Sequence, residues 1–529
     1  MKKIILATAF ILAAGTALYA QNLNPEVQVT NDYVARMADV HKNGTPMAVP
    51  DSLTRFSTDI DYSVFTTAYQ GAYEFSPYAI SMVPEARDFE GSRFYLRAGA
   101  GYSFHPVVRA VFTPFAKGLL RNSEYLGFDG YAGRYRSMDG RTDYNGHDYG
   151  LDAGAIVRWN KEKFDLSADA GYDGIYTADD ALASVYHKAR LGMNIHSNTD
   201  DIPVTYNMSA GFHYGSDAVS TLGNTGEFGY EIDGFVCPEI GRSFKLRVDV
   251  HSQGSWIADG SFSPAILNTA APKLVYEVGD FVFAAGGRIA LSEEFSLHPD
   301  VSARWLESNG LLAVGLNIGG GQTLGNYAAY KAADHWFNAG YLTKFVPTVE
   351  KISASLDVRG LLFKNLTYDL SGGWRRLSNA AVQGLDVVAA AYVPGVKFVD
   401  YDQAWANLLL NWKSERLEVN MDATYAYNSI AKGADYLTPA AFTMETSAVY
   451  NWNRRIFAGL RAKAMSARES TQVKLPGFAD IGLYGEYVFA SRLSAWAQLG
   501  NLLNQQLSYS PTHIAGGLNF TLGVCLKLQ

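Results

Sequence analysis

The chain has 529 residues, of which 48% are hydrophobic and 18% charged, with 50 glycines, 33 tyrosines and a formal net charge of -8. That acidic balance disfavours a polyanionic partner, so nucleic acid is not an expected ligand. Beyond the first residues no run of about 18 apolar positions occurs, which excludes a bundle of membrane-crossing helices.

Met1-Lys2-Lys3, the apolar run from Ile4 to Ala14 and the exit Leu18-Tyr19-Ala20 form the three regions of a secretory signal peptide, residues 1–20. Cleavage is expected before Gln21, and no cysteine stands there to take a lipid anchor. Residues 21–92 are interrupted by Pro25, Pro46, Pro50, Pro77 and Pro84 and hold no long alternating pair. They read as an extended segment that is periplasmic or enters a lumen, with one short strand-like stretch at Glu26, Val27, Gln28, Val29 and Thr30.

From Arg93 to the end, about twenty-two alternating runs follow one another. Phe164, Leu166, Ala168, Ala170 and Tyr172 alternate with Asp165, Ser167, Asp169, Gly171 and Asp173, giving one apolar and one acidic face. In hydrocarbon every backbone N–H and C=O must be paired within the protein, which leaves helices and closed barrels. The expectation is an all-β fold: a large transmembrane antiparallel up-and-down β-barrel over 93–529, with lipid outside and water inside. A water-soluble sandwich is the alternative that alternation alone permits.

Connection lengths give a direction, because outer-membrane barrels use short periplasmic turns and longer outer loops. Short connections at 159–163, 198–202, 238–242, 280–281, 307–310, 364–365, 414–415, 453–454 and 491 alternate with longer ones such as 257–272, 320–351 and 379–400. Trp159, Trp305, Trp412 and Trp452 each stand where a run enters a tight charged turn, and so mark one interfacial girdle, expected on the periplasmic side. Trp256 and Trp374 fall at opposite ends of their runs and mark the other.

Four features bear on chemistry. The long connection contains an Ala- and aromatic-rich stretch over 325–338 with helical spacing; it either folds inward over the pore or stands outside as a surface loop with a small core of its own. Asp139, Asp143, Asn145 and Asp148 put hard oxygen donors into a Gly-containing stretch read as an outer loop, a weak candidate for calcium that fits no EF-hand spacing. Asp165, Asp169, Asp369, Arg375, Glu418 and Asp422 are expected to face the lumen, where mixed signs pair or line a water path. Cys237 and Cys525 fall on runs that are not neighbours and are expected to remain separate thiols.

The stretch Leu499-Gly500-Asn501-Leu502-Leu503-Asn504, followed by a last alternating run, resembles the C-terminal hairpin of TonB-dependent receptors. Leu503 takes an aromatic position of that element, and the chain ends Lys527-Leu528-Gln529 without the usual terminal Phe. Val27 to Val34 with Pro50-Asp51 also looks like receptor-like barrels that lack the full plug. The resemblance implies a barrel of about twenty-two strands, and it implies that residues 21–92 are too few for the globular plug of such receptors. It further implies that residues 26–30 form a TonB-box-like strand able to add to a partner's sheet edge.

The ten histidines contain no His-x-x-x-His pair and no Gly-x-Ser-x-Gly elbow occurs, so no metal, cofactor or enzymatic activity is expected. The expected role is a non-enzymatic outer-membrane barrel, for transport or as a scaffold of an assembly or secretion complex. A passive or gated solute channel and a surface-binding barrel are the alternatives. Expected partners are outer-membrane lipid and lipopolysaccharide, with periplasmic or surface-lipoprotein components of an envelope complex.

Overall fold

The computed structural model describes residues 93–528 except 103, 116–118, 139–142, 181, 199–203, 221–222, 242, 259–263, 338–343, 364 and 389–390. The expected signal peptide, the 21–92 segment and the TonB-box-like residues 26–30 lie outside the described residues.

The chain opens with β1 (Phe94–Tyr102), β2 (Val107–Phe115), β3 (Leu120–Arg136), β4 (Asp143–Asn160), β5 (Phe164–Ala178), β6 (Ala183–Ser197) and β7 (Val204–Val219). It continues through β8 (Gly223–Pro238), β9 (Phe244–Ile257), β10 (Ala265–Val278), β11 (Phe281–Leu291), β12 (Phe295–Leu306) and β13 (Leu312–Leu324), then a helix, α1 (Tyr327–Ala333). After it come β14 (Pro347–Leu362), β15 (Leu366–Val388), β16 (Ala391–Lys413), β17 (Leu417–Ser429), β18 (Phe442–Trp452) and β19 (Ile456–Met465). Last are the small hairpin β20 (Arg468–Glu469) and β21 (Lys474–Leu475), then β22 (Phe478–Ala490), β23 (Leu493–Gly500), the bridge β24 (Ile514–Ala515) and β25 (Asn519–Leu528).

Each stave pairs antiparallel with the next, and β25 closes on β1 in a register running from Phe94↔Leu528 to Tyr102↔Phe520. Among the described residues the result is a closed antiparallel barrel of 22 strands. Closure leaves no unpaired edge, the condition that hydrocarbon imposes. Inside the seam Trp496 lies against Gly523 and Gly99, where an added Cβ would approach the indole to 2.4 and 2.5 Å. Only glycine lets that ring lie flat across the closing strands.

The tight turns gather at one end with both ends of the barrel chain. After Trp452 the turn places Asn453 and Arg454 at φ 53° and 56°, the paired positive values that match the twist of a two-residue hairpin. In the receptor-like element before the last strand, Asn501 donates to the carbonyls of Gln505 and Gly517 and accepts from Gln505 N. Its φ of 49° is one that asparagine tolerates, which gives the motif a local reason. The outer surface carries the expected apolar alternation: Leu191, Met193, Leu297, Leu522 and Val524 are exposed, as lipid-facing positions of an outer-membrane barrel are.

Three expectations of extent are corrected. The connections 257–272 and 379–400 are largely strand: β10 begins at Ala265, and β15 and β16 form a hairpin of two 23-residue strands. Pro272, paired across from Val248, and Pro394, across from Leu385, stand inside the ladder. The stretch holding Asp143, Asn145 and Asp148 is likewise part of β4, not a loop. Strand alternation turns Asp143 and Asn145 to one face and Asp148 to the other, so these three cannot surround one calcium ion; Asp139 lies outside the described residues. Cys237 and Cys525 stand on β8 and β25, which do not pair, and no disulfide joins them.

Candidate functional site

The connection from β13 to β14 turns inward. Its helix caps itself through Asn326, whose Oδ1 accepts from Ala329 N at 2.8 Å, and it is fastened to strands four to seven places round the wall. Glu227 on β8 accepts from Tyr327 N and Ala328 N at 2.9 Å each and from Ser255 Oγ at 2.5 Å. A carboxylate at a helix start satisfies amides that have no partner within the helix. On β7 Asp217 accepts from the Tyr327 hydroxyl and from Ser184 Oγ, and lies 3.3 Å from Lys331 Nζ. Lys331 is 0% exposed and donates to Ser184 Oγ at 2.9 Å and Phe337 O at 2.8 Å.

Around these charges an apolar layer is packed from the lumenal faces of the wall. Tyr327, Ala328, Phe337 and Phe345 meet Ile175, Tyr186, Ile257, Leu267 and Ala290, contributed by strands from β5 to β11. The low-dielectric surroundings strengthen the ion pair and make either partner costly to leave alone. Desolvation lowers the Lys331 pKa despite the opposing field of Asp217, and raises that of the Tyr327 hydroxyl, beside the same carboxylate.

Past α1 the chain reaches the far wall. Asp334 accepts from Ser510 Oγ at 3.1 Å and from Gln383 Nε2 at 3.3 Å, and burial raises its pKa. His335 Nδ1 is 2.7 Å from Asp148 Oδ1 on β4, next to the β5 strand that already packs against α1. Trp336 stacks on His513 with centroids 3.5 Å apart and planes 9° from parallel, while Tyr135 meets the indole edge-on. Arg468, in the β20 hairpin, donates to Gln383 Oε1 and to Ser508 O, and desolvation brings its pKa down to about 10. Residues 325–337 therefore form a bar across the lumen, held on the side of β4 to β8 and, through Asp334, by Gln383 and Ser510 on the other. Beside the far anchor lies a cavity of about 430 Å³, lined among others by His105, Tyr131, Arg461, Asp480, Tyr509 and His513.

The expected lumenal residues line the wall away from the bar. Asp165 is 3.4 Å from His196 Nε2 and accepts from Asn198 at 3.2 Å; Asp169 stands opposite Gly192. Asp369 pairs with Arg359 at 2.9 Å, Arg375 donates to Gln403 at 2.7 Å and lies 3.7 Å from Glu350, and Asp422 accepts from Asn407 at 2.9 Å. Glu418 shares the strand face of Asp422, across from Lys413. Trp159, Trp305, Trp412 and Trp452 all stand beside tight turns of the same barrel end, with Lys161 Nζ 4.9 Å above the Trp159 ring. Trp256 and Trp374 stand towards the long-loop end, the first against Phe228 and Tyr230, the second under Arg376.

Sequence reading missed Asp217, Glu227, Ser184, Gln383, Arg468 and His513 as partners of the bar. Asp217 and Glu227 meet α1 across 110 and 100 residues of chain, a separation no local pattern encodes.

No family model and no curated protein matches the chain. Solved structures do. The FrpB iron transporter from Neisseria meningitidis covers 84% of this chain and 82% of its own, with 10% identity and a TM-score of 0.60. The siderophore receptor PirA from Pseudomonas aeruginosa covers 82% and 80%, with 11% identity and a TM-score of 0.56. The copper transporter OprC covers 83% of each chain, with 13% identity and a TM-score of 0.56. At such identities the likeness is one of fold: the chain forms a closed 22-strand β-barrel that resembles those of TonB-dependent receptors.

Proposed function

We propose that the protein is a non-enzymatic outer-membrane transport barrel whose lumen is gated by its own residues 325–337. The observation that carries this reading is the bar itself: a segment of the wall's chain crosses the lumen, anchored by Asp148 on β4 and buried Asp217 and Glu227 on β7 and β8 on one side, and by Gln383 on β15 and Ser510 before β25 on the other. A barrel of this size encloses an aqueous space wider than that of 16- to 18-stranded porins, so an internal bar decides what passes. The fold shared with iron, siderophore and copper transport proteins supports transport as the class of function. A pulling partner in the periplasm, of the kind a TonB-box-like strand would recruit, belongs to the same proposal.

The test is conductance in planar bilayers, comparing the intact barrel with one in which residues 325–337 are replaced by a glycine-serine linker. The intact barrel is expected to stay closed or flicker, and the variant to carry steady large currents. A variant that conducts no more than the intact barrel, while folded, removes the gate.

A further inference from the structure

Further along the wall from the Glu227 cap, three side chains of metal-ligand type converge. Glu231 and Asp233 follow Glu227 on β8 by four and six residues, so all three project from the same, lumenal face. His251 on β9 stands directly opposite Asp233 in the register. One oxygen from each carboxylate and one ring nitrogen of His251 lie within 4.8 Å of one another, and His251 Nδ1 is 2.5 Å from Asp233 Oδ1.

Two observations set this cluster apart from the ion pairs elsewhere in the lumen. Asp173, Asp249, Asp300 and Asp369 are each met by a lysine or arginine, at 2.8 to 3.1 Å. The carboxylates of Glu231 and Asp233 instead stand against each other and share His251, with His213 nearby and, among the described residues, no lysine or arginine paired to either. Such a pair is relieved by a cation between them. There is also room above it: Gly211 stands opposite Glu231 on β7, and a Cβ there would meet nothing nearer than Glu231 O at 3.9 Å.

We propose that Glu231, Asp233 and His251 form a lumen-facing site for a divalent first-row transition-metal ion, such as zinc. Bonds of about 2.0–2.2 Å hold neighbouring ligands about 3–3.5 Å apart, so the site closes by side-chain rotation alone. Imidazole nitrogen with two carboxylates suits this class better than magnesium or calcium, which take oxygen donors. Three protein ligands leave a position open to the lumen, so the ion stays exchangeable rather than sealed in.

The test uses the full-length barrel, folded in detergent and stripped with chelator. Zinc is titrated by calorimetry and cobalt by its visible absorption. One saturable site per chain is expected. His251→Ala and Glu231→Gln should each weaken it by at least about tenfold, and His298→Ala, on β12 outside the cluster, should leave it unchanged. Heat-modifiable electrophoretic mobility checks that each variant is folded, and His251→Gln replaces the alanine variant if that one is not. Absence of saturable binding, or binding indifferent to His251 and Glu231, overturns the site. The gate does not enter this measurement, so a failure of the gate leaves the metal result standing.

Discussion

Replacing Asp217 with asparagine probes what holds the bar in the lumen. The side chain is 1% exposed and faces Ser184, Tyr327 and Lys331 together. Asparagine keeps the shape and still accepts a hydrogen bond, but it removes the charge that stands against the buried ammonium. Breaking one partner out of a buried ion pair costs about 3–5 kcal/mol. At 1.36 kcal/mol per factor of ten, that is about two to nearly four powers of ten in the ratio of docked to undocked loop. The barrel itself need not unfold, because the bar can withdraw and let water reach Lys331. Hydrogen exchange followed by mass spectrometry is the assay: amides of 325–337 should exchange faster by up to that factor, while peptides of β3 to β12 keep their protection. Adding Lys331→Met to Asp217→Asn removes the stranded charge and should restore much of the protection. Protection in 325–337 that stays at its original level in the single variant, or a double variant as exposed as the single, refutes the reasoning.

Docking should also depend on pH. Burial opposes the His335 imidazolium, but the hydrogen bond and field of Asp148, helped by Asp334, outweigh it and hold its pKa above 6.5. A base raised on docking stabilises the docked state fully below 6.5 and loses that contribution as pH rises through the higher docked value. Asp334, raised by burial, acts in the same sense at lower pH, whereas Lys331, lowered by burial and opposed by Lys331's neighbour Asp217, pulls the other way at alkaline pH. Exchange protection of 325–337 should therefore fall as pH rises from mildly acidic values, and His335→Gln should flatten that dependence; an unaltered pH profile counts against the imidazole. At the seam, a Cβ on Gly523 would lie 2.3 Å from Ala98 O and 2.4 Å from the Trp496 ring. Gly523→Val should overpack the closure by about 1–3 kcal/mol and lower the fraction of heat-modifiable folded barrel, with Trp496→Ala giving partial recovery; an unchanged folded fraction would show that the seam tolerates the side chain.

The wall was readable because lipid writes a period of two into each stave, as from Phe164 to Asp173. Where a strand rises past the lipid that pressure ends. The upper parts of β15 and β16 pair through Gly384↔Gly395 and Leu385↔Pro394, and glycines and a proline among their apolar residues make them read as loop. The Asp- and Gly-rich start of β4 misled for the same reason: its composition suits a turn, yet its backbone is paired from Asp143 to β3. The bar was half legible. Helical spacing marked α1, but the direction in which it folds is decided by acids on β7 and β8 that resemble any other polar lumenal position.

The seven residues of α1 make it about two turns long, and isolated helices shorter than about 12–15 residues are marginal in water. Its coil therefore exists because Glu227, Asp217 and the surrounding apolar layer hold it. Leaving the wall and losing the helix become one event. What opens is then not a rigid lid swinging on two hinges but a length of chain that melts as it lets go, tethered at Leu324 and Pro347. Each backbone residue released regains about 1–2 kcal/mol of conformational entropy at room temperature, so warming favours the open passage, and closing is a small act of folding carried out inside the barrel.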